Sequence, residues 1–246
     1  MTNYERSQRL YDRAAVIPGR SLTRSKAPGR FFDAQSGPLY AQSGQGCMIV
    51  DADHNKYIDM LCALGAVSLG YGVAQFGEPT SAIRALQDGW VLSLPHFSEV
   101  KAAETVLELV APWASHVRFM KTGSEATQAA YQIAKRATGR KYVMVGDWAY
   151  HGWHEWCTFS GNGFMSISGT AARLPHGADI NDASQNYGAD APPAAVFIEP
   201  HRWEPVNVTW LKHVREWCTR RGALLVFDEM IYGGRWHIGG ATAHFG

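Results

Sequence analysis

The 246-residue sequence predicts an α/β fold, with a mostly parallel sheet flanked by helices and an N-terminal hairpin segment, on two observations. Short uninterrupted apolar runs at residues 117–120, 142–145, 194–198 and 223–227 read as strands buried on both faces. Between them lie stretches in which apolar residues recur at helical spacing, the alternation that covers a parallel sheet with helices.

Taken in order, residues 1–46 form a peripheral segment. An amphipathic stretch at residues 7–16 stops at Pro18-Gly19, and a Gly/Pro/Ser-rich run continues to Gly46. Residues 47–246 carry the hairpin and the main domain. Met48-Ile49-Val50 and Tyr57-Ile58-Asp59 are expected to pair across Asp51-Ala52-Asp53-His54-Asn55, whose Asp and Asn supply turn chemistry. A helix follows at Val100, Ala103, Val106, Leu107 and Val110, closed by Pro112. The run at 117–120 leads through Thr122-Gly123-Ser124-Glu125 into a stripe of Ala126, Ala129, Ala130, Ile133, Ala134 and Ala137 that ends at Gly139. Leu211, Val214 and Trp217 mark a further helix ended by Gly222. Residues 159–193, rich in Gly, Ser, Asn and Asp, read as a long loop and a candidate lid.

Composition narrows the function classes. With 23 basic and 22 acidic residues and 46% apolar positions, the chain is a globular protein without a basic nucleic-acid footprint. The N-terminus has no signal-peptide core and no apolar run reaches the roughly 18 residues of a membrane span, so a cytoplasmic setting is expected. Cys47, Cys62, Cys157 and Cys218 form no CxxC pair and read as packing thiols.

In open parallel sheets ligands bind beyond the carboxyl ends of strands, so the polar residues after each run are the first candidates. Gly123-Ser124 at a helix start exposes N–H groups suited to a phosphate, although Thr122 and Glu125 also have the spacing of an ordinary capping box. Trp148-Ala149-Tyr150-His151-Gly152-Trp153-His154 offers rings for stacking on a planar ligand. The same rings suit a core or an interface, and His151 with His154 suit a metal. Glu199-Pro200 follows the third run. Asp228, directly after the fourth, needs a cationic or hydrogen-bonding partner: a pyridinium nitrogen, or an arginine such as Arg235.

In this order the residues resemble the class III, fold-type I, pyridoxal-phosphate aminotransferases, most closely the glutamate-1-semialdehyde aminomutase-like branch. The resemblance rests on Ile17-Pro18-Gly19, Asp51-Ala-Asp-His-Asn-Lys-Tyr-Ile-Asp59, Thr122-Gly-Ser-Glu-Ala126, Thr138-Gly-Arg140, Tyr150-His-Gly152, Glu199-Pro200 and Phe227-Asp-Glu229 with Gly233 and Arg235. It implies an incomplete cofactor-binding large domain, a pyridoxal 5'-phosphate cofactor, amino-group transfer between small molecules, and a homodimer. Gly123 and Ser124 would hold the phosphate, Tyr150 would stack on the ring with His151 beside it, Glu199 would join the network on the phenolic-oxygen side, Asp228 would pair with the ring nitrogen, and Met230 would pack on the other face.

This chain departs from the branch at Leu64 before Gly65, at Glu204, and at Lys26, where an arginine matches only as Arg24 with a shift. The substrate therefore stays open. The lysines Lys26, Lys56, Lys101, Lys121, Lys135, Lys141 and Lys212 all precede Asp228, so the Schiff-base lysine is expected beyond Gly246 and no catalytic residue is assigned within the chain. A lysine-less binding protein or inactive fragment is the alternative.

Overall fold

A computed structural model describes residues 4–30, 32, 33, 37–72, 83, 84, 86–89, 92–147, 149–158, 166–185, 192–201 and 207–246. It divides into two units, Met1–Leu94 and Pro95–Gly246.

In the first unit, α1 (Glu5–Arg13) precedes β1 (Ala41–Gln45), β2 (Met48–Asp51) and β3 (Lys56–Ile58). The three strands form an antiparallel sheet in the order β1-β2-β3, so the expected hairpin gains a strand before it. The hairpin turn is built on Asp51. Its carboxylate accepts hydrogen bonds from the Asp53 and Asn55 N–H groups, at 2.9 and 2.8 Å, and from the Tyr57 hydroxyl at 3.0 Å. Asp53 then accepts from the Arg6 and Ser7 N–H groups, at 2.5 and 2.8 Å, and thereby caps the free N-terminus of α1.

The second unit carries the larger sheet. Its helix α2 (Ser98–Thr105) widens into a π-turn at Val106–Val110. Next come α3 (Gly123–Thr138), β4 (Val143–Gly146), β5 (Ala171–Leu174), α4 (Ile180–Gln185), β6 (Ala195–Ile198), α5 (Val208–Arg221), β7 (Leu224–Phe227) and α6 (Gly240–Phe245). The sheet is four-stranded and parallel, in the order β5-β4-β6-β7. Alternate strand residues pack to opposite faces: Met144, Val196 and Ile198 join Leu211, Val214 and Trp217 of α5, while Val143, Val145 and Phe197 join Tyr131 and Ala134 of α3. Both faces are thus apolar, which explains the continuous runs in the sequence. Gly139 at φ 69° and Gly222 at φ 61° end α3 and α5 in the left-handed conformation.

Two expectations are corrected. Residues 117–120 take no strand pairing among the described residues, and Phe119 and Met120 are exposed. The fourth strand is instead β5, which with α4 lies inside the stretch read as loop; residues 159–165 and 186–191 of that stretch lie outside the described residues. The free cysteines include Cys157 and Cys218, both buried, and burial pushes the Cys218 thiol up to about 11, as suits a packing role. No helix among the described residues is long and apolar enough to cross a membrane.

The end of the sheet away from the candidate site is held by Arg140. Its guanidinium donates to the carbonyls of Pro193 (3.0 Å), Gly222 (2.8 Å) and Arg221 (2.8 Å), joining the end of α3 to the end of α5 and the approach to β6. Arg140→Ala is expected to cost about 2 kcal/mol in urea unfolding, with Arg140→Lys recovering only part because one ammonium cannot span those acceptors. In the first unit, burial works to raise the pKa of Asp53, but the hydrogen bonds from Ser7 and Arg6 outweigh it and hold the carboxyl below its ordinary 3.8. Its contribution is therefore complete above that value and is lost as pH falls through the lowered one. Protection of the Arg6 and Ser7 amides, measured against their intrinsic exchange rates, should fall below about pH 4 and stay constant over that range in Asp53→Asn.

Candidate active site

The candidate residues gather at the carboxyl end of the sheet because each follows a strand or opens a helix there. At the start of α3, Thr122 forms a reciprocal capping box: the Glu125 N–H donates to Thr122 Oγ1 at 3.2 Å, while Glu125 Oε2 accepts from Lys121 N (2.9 Å) and Thr122 N (3.3 Å). The box that the sequence offered as the bland alternative is therefore real. It leaves the N–H groups of Gly123 and Ser124 at the helix N-terminus, without a protein acceptor among the described residues. The box does not use those N–H groups, because it turns Glu125 back along the chain.

Beyond β4, Tyr150 and His151 part company. His151 is 1% exposed and its Nδ1–H donates to Asp228 Oδ2 at 2.8 Å; the Asp228 side chain is 8% exposed. The imidazole packs near Trp156 and Phe197, with ring centroids 6.4 and 5.9 Å away, and its Nε2 has no hydrogen-bond partner among the described residues. Tyr150, by contrast, is 64% exposed, and its backbone N–H donates to Glu199 Oε1 at 2.5 Å. A ring presented to solvent while its backbone is fixed is placed to stack on a ligand.

Asp228 follows β7, and its second oxygen accepts the Met230 N–H at 3.0 Å. That turn brings Met230 against the start of α3, where a Cβ on Gly123 would collide with Met230 Cε. Gly152, at φ 103°, makes a similar close approach: a Cβ there would lie 2.5 Å from Ser124 Oγ and 2.9 Å from Ser124 Cβ. Thr127 Oγ1 donates to the His151 carbonyl at 2.7 Å, and His154 Nε2 lies 3.0 Å from the Ser124 carbonyl. These contacts tie the residues 150–154 loop to the first turns of α3.

Gly123, Ser124, Tyr150, His151, Glu199, Asp228 and Met230 thus belong to one contact network. The His151 and His154 rings turn to Asp228 and to a backbone carbonyl. Asp228 is paired with His151, while Arg235 Nε donates to Ile231 O at 2.5 Å. Trp148 and Glu204 lie outside the described residues. Sequence reasoning missed Thr127, Trp156 and Phe197, which wrap the buried imidazole. Thr127 had a faint signal, a polar residue in the first turns of a helix starting at the strand ends; the other two had none. Glu229 of the Asp-Glu pair turns away and accepts the Ala241 N–H at 2.7 Å, starting α6.

A family model for aminotransferase class-III matches residues 31–244. The chain is 33% identical over 266 residues to a glutamate-1-semialdehyde 2,1-aminomutase from Aquifex aeolicus (strain VF5), an alignment covering 98% of this chain and 60% of that protein. Among solved structures, it is similar to an omega-transaminase from Sphaerobacter thermophilus, with a TM-score of 0.80, 26% identity, and 96% of this chain and 57% of that one covered. It is also similar to a structure described as a transaminase with PLP bound, with a TM-score of 0.82, 25% identity, and 100% and 60% coverage. The chain therefore spans about 60% of the length of proteins it matches.

His151→Phe removes the partner of a nearly buried carboxylate and is expected to destabilise the chain by about 2–4 kcal/mol in denaturant unfolding. Asp228→Asn in the same background should then add much less than it costs alone, a coupling of about 1–2 kcal/mol. Strict additivity would show that the two side chains do not act as a pair.

Proposed function

The chain belongs to the class-III aminotransferases, and on that premise we propose that its sheet end binds pyridoxal 5'-phosphate for amino-group transfer between a small amino donor and an aldehyde or keto acceptor. The observation that carries the reading is the pairing, in one site, of helix N–H groups at Gly123 and Ser124 that have no acceptor among the described residues with a deeply set carboxylate at Asp228.

The residues present fit such a group. Gly123 carries no side chain over the helix N–H groups, the space a Cβ would take being where Met230 packs, and the Glu125 carboxylate is turned into its capping box. When bound, the pyridoxal ring supplies an electron sink for the carbon that bears the amino group. The protein's part is positional and electrostatic. The N-terminus of α3 holds the phosphate through backbone N–H groups and the positive end of its dipole. Asp228 holds a proton at the pyridine nitrogen, and His151 fixes the carboxylate that does so. Tyr150, its backbone anchored on Glu199, would stack on the ring, and Met230, its backbone held by Asp228, would pack on the other face. None of the chain's lysines is assigned as the covalent anchor.

The relatives named an aminomutase and transaminases support transfer over bare cofactor binding. The reading carries with it a cytoplasmic homodimer. Exposed apolar side chains beside the site, Trp153 at 78% and Met230 at 65%, support a further surface packing there.

Pyridoxamine 5'-phosphate tests the site without the aldehyde that would react with any lysine. Calorimetric titration should show saturable binding that inorganic phosphate competes away. Asp228→Asn should weaken it by about tenfold or more, since the neutral amide cannot hold the pyridinium charge. Binding that is absent, or indifferent to Asp228→Asn in a folded variant, would sink the reading.

A further inference from the structure

The second unit contains a buried polar atom that no hydrogen bond accounts for. The His151 side chain is fully buried, its Nδ1 meets Asp228 Oδ2 at 2.8 Å, and its Nε2 has no hydrogen-bond partner among the described residues. A neutral imidazole carries one N–H donor and one lone-pair acceptor, whereas the protonated ring carries two donors and a positive charge. Which form is present decides the charge of the pair, because a protonated ring would cancel the carboxylate beside it.

The surroundings of Nε2 favour the neutral form. Phe197 and Trp156, both buried, wall the imidazole, with their own ring centroids 4.9 Å apart. Phe197 offers no acceptor. The indole of Trp156 has a single polar atom, the donor Nε1–H, and that donor is engaged by Gln128 Oε1 at 2.8 Å. The indole is held within 11° of parallel to the imidazole and stacks on Tyr131, whose hydroxyl accepts from Lys135 Nζ at 3.1 Å. Nor do the neighbouring titratable groups supply an acceptor. Burial pushes the Cys157 thiol up, with the Asp228 charge adding to it, and its Sγ donates to the Gly152 and His154 carbonyls. His154 turns to the Ser124 carbonyl. A second proton on His151 would therefore be a buried donor without an acceptor, on a charged ring, which costs far more than a buried lone pair.

We propose that Trp156 and Phe197 are positioning residues that act through His151. By closing Nε2 off from acceptors and water they hold the imidazole neutral, with its single proton on Nδ1, and so keep the His151–Asp228 pair at one full negative charge. Asp228 then accepts at both oxygens, from His151 Nδ1–H and from the Met230 N–H. The consequence for ligand binding rests on the reading of this sheet end as a pyridoxal 5'-phosphate site: an undiminished carboxylate is what holds a proton at the ring nitrogen. The apolar wall serves that charge from behind, and neither Trp156 nor Phe197 has to touch a ligand to do so.

Nitrogen-15 NMR of the histidine-labelled 246-residue chain, without added cofactor, reads the proton directly. His151, assigned through its nuclear Overhauser contacts with Trp156 and Phe197, should show one protonated and one lone-pair nitrogen at about pH 7, with the proton on Nδ1. A doubly protonated ring, or a single proton on Nε2, would overturn the proposal, and this measurement decides it even where a variant does not fold. Opening the wall with Trp156→Ala should add a second proton to His151 at about pH 6. The same variant should weaken pyridoxamine 5'-phosphate by about threefold to tenfold in calorimetric titration. Trp156→Phe, which keeps the wall apolar, should leave the single proton in place. In an Asp228→Asn background, Trp156→Ala should weaken binding by less than about twofold, because no carboxylate charge is left to cancel. A folded Trp156→Ala that keeps the single proton, or that weakens binding equally with and without the Asp228 carboxylate, would also overturn the proposal. Absence of pyridoxamine 5'-phosphate binding alongside a single proton on Nδ1 would sink the cofactor reading and leave the charge of the pair as proposed.

Discussion

The hydrogen bond between His151 and Asp228 is the constraint around which the second unit's site is arranged. A carboxylate set at 8% exposure beyond a parallel strand cannot be left unpaired, because removing a charge from water costs several kcal/mol unless a partner compensates it. The partner comes from the loop after β4, and β6 lies between that strand and β7. Satisfying Asp228 therefore fixes the separation of two loops whose strands do not touch. Thr127 continues the linkage by donating to the His151 carbonyl, so α3 is tied to the same point. The imidazole is in turn walled by Trp156 and Phe197, and Trp156 stacks on Tyr131 of α3 with ring centroids 4.8 Å apart.

Glycine does in space what that pair does in charge. Gly123 lets Met230 approach the start of α3, and Gly152 lets the loop pass Ser124 at a distance no side chain would permit. Gly152 also sits at φ 103°, outside the range of ordinary residues, so conformation and space make the same demand there. The helix N-terminus, the aromatic loop and the acid reach one another because, at each of these two approaches, one partner carries no side chain.

Legibility from sequence followed the physics. Strands β4 and β6 are buried on both faces and β7 packs partly buried residues against both clusters, so their apolar runs are continuous and were readable; helices α3 and α5 end at glycines that were equally plain. The run at residues 117–120 was misread because apolar content alone does not supply a neighbour to pair with. Strand β5, Ala-Ala-Arg-Leu, was missed because it is short and carries an arginine whose side chain reaches Asp147. Asp228 and His151 were legible separately, one as a strand-end acid and the other as part of an aromatic run. Their pairing was not, since the partner depends on the strand order β4-β6-β7, which residues 77 positions apart do not announce.

A net charge of +1 says nothing about ligand charge, and the reason lies in how this site separates opposite fields. The N-terminus of α3 is positive through its dipole and its N–H groups, while Asp228 is negative at the far side of Met230. If the two met directly they would neutralise each other and bind nothing. Asp228 instead spends one oxygen on His151 and the other on the Met230 N–H, and Glu125 is folded into its capping box. The helix end therefore keeps its positive field for an anion and the acid keeps its charge for a cation. A rigid planar ligand with a phosphate at one end and a protonated ring nitrogen at the other meets both demands at once. On the reading of this sheet end as a pyridoxal 5'-phosphate site, a ligand with only one of those charges leaves the opposite field unanswered.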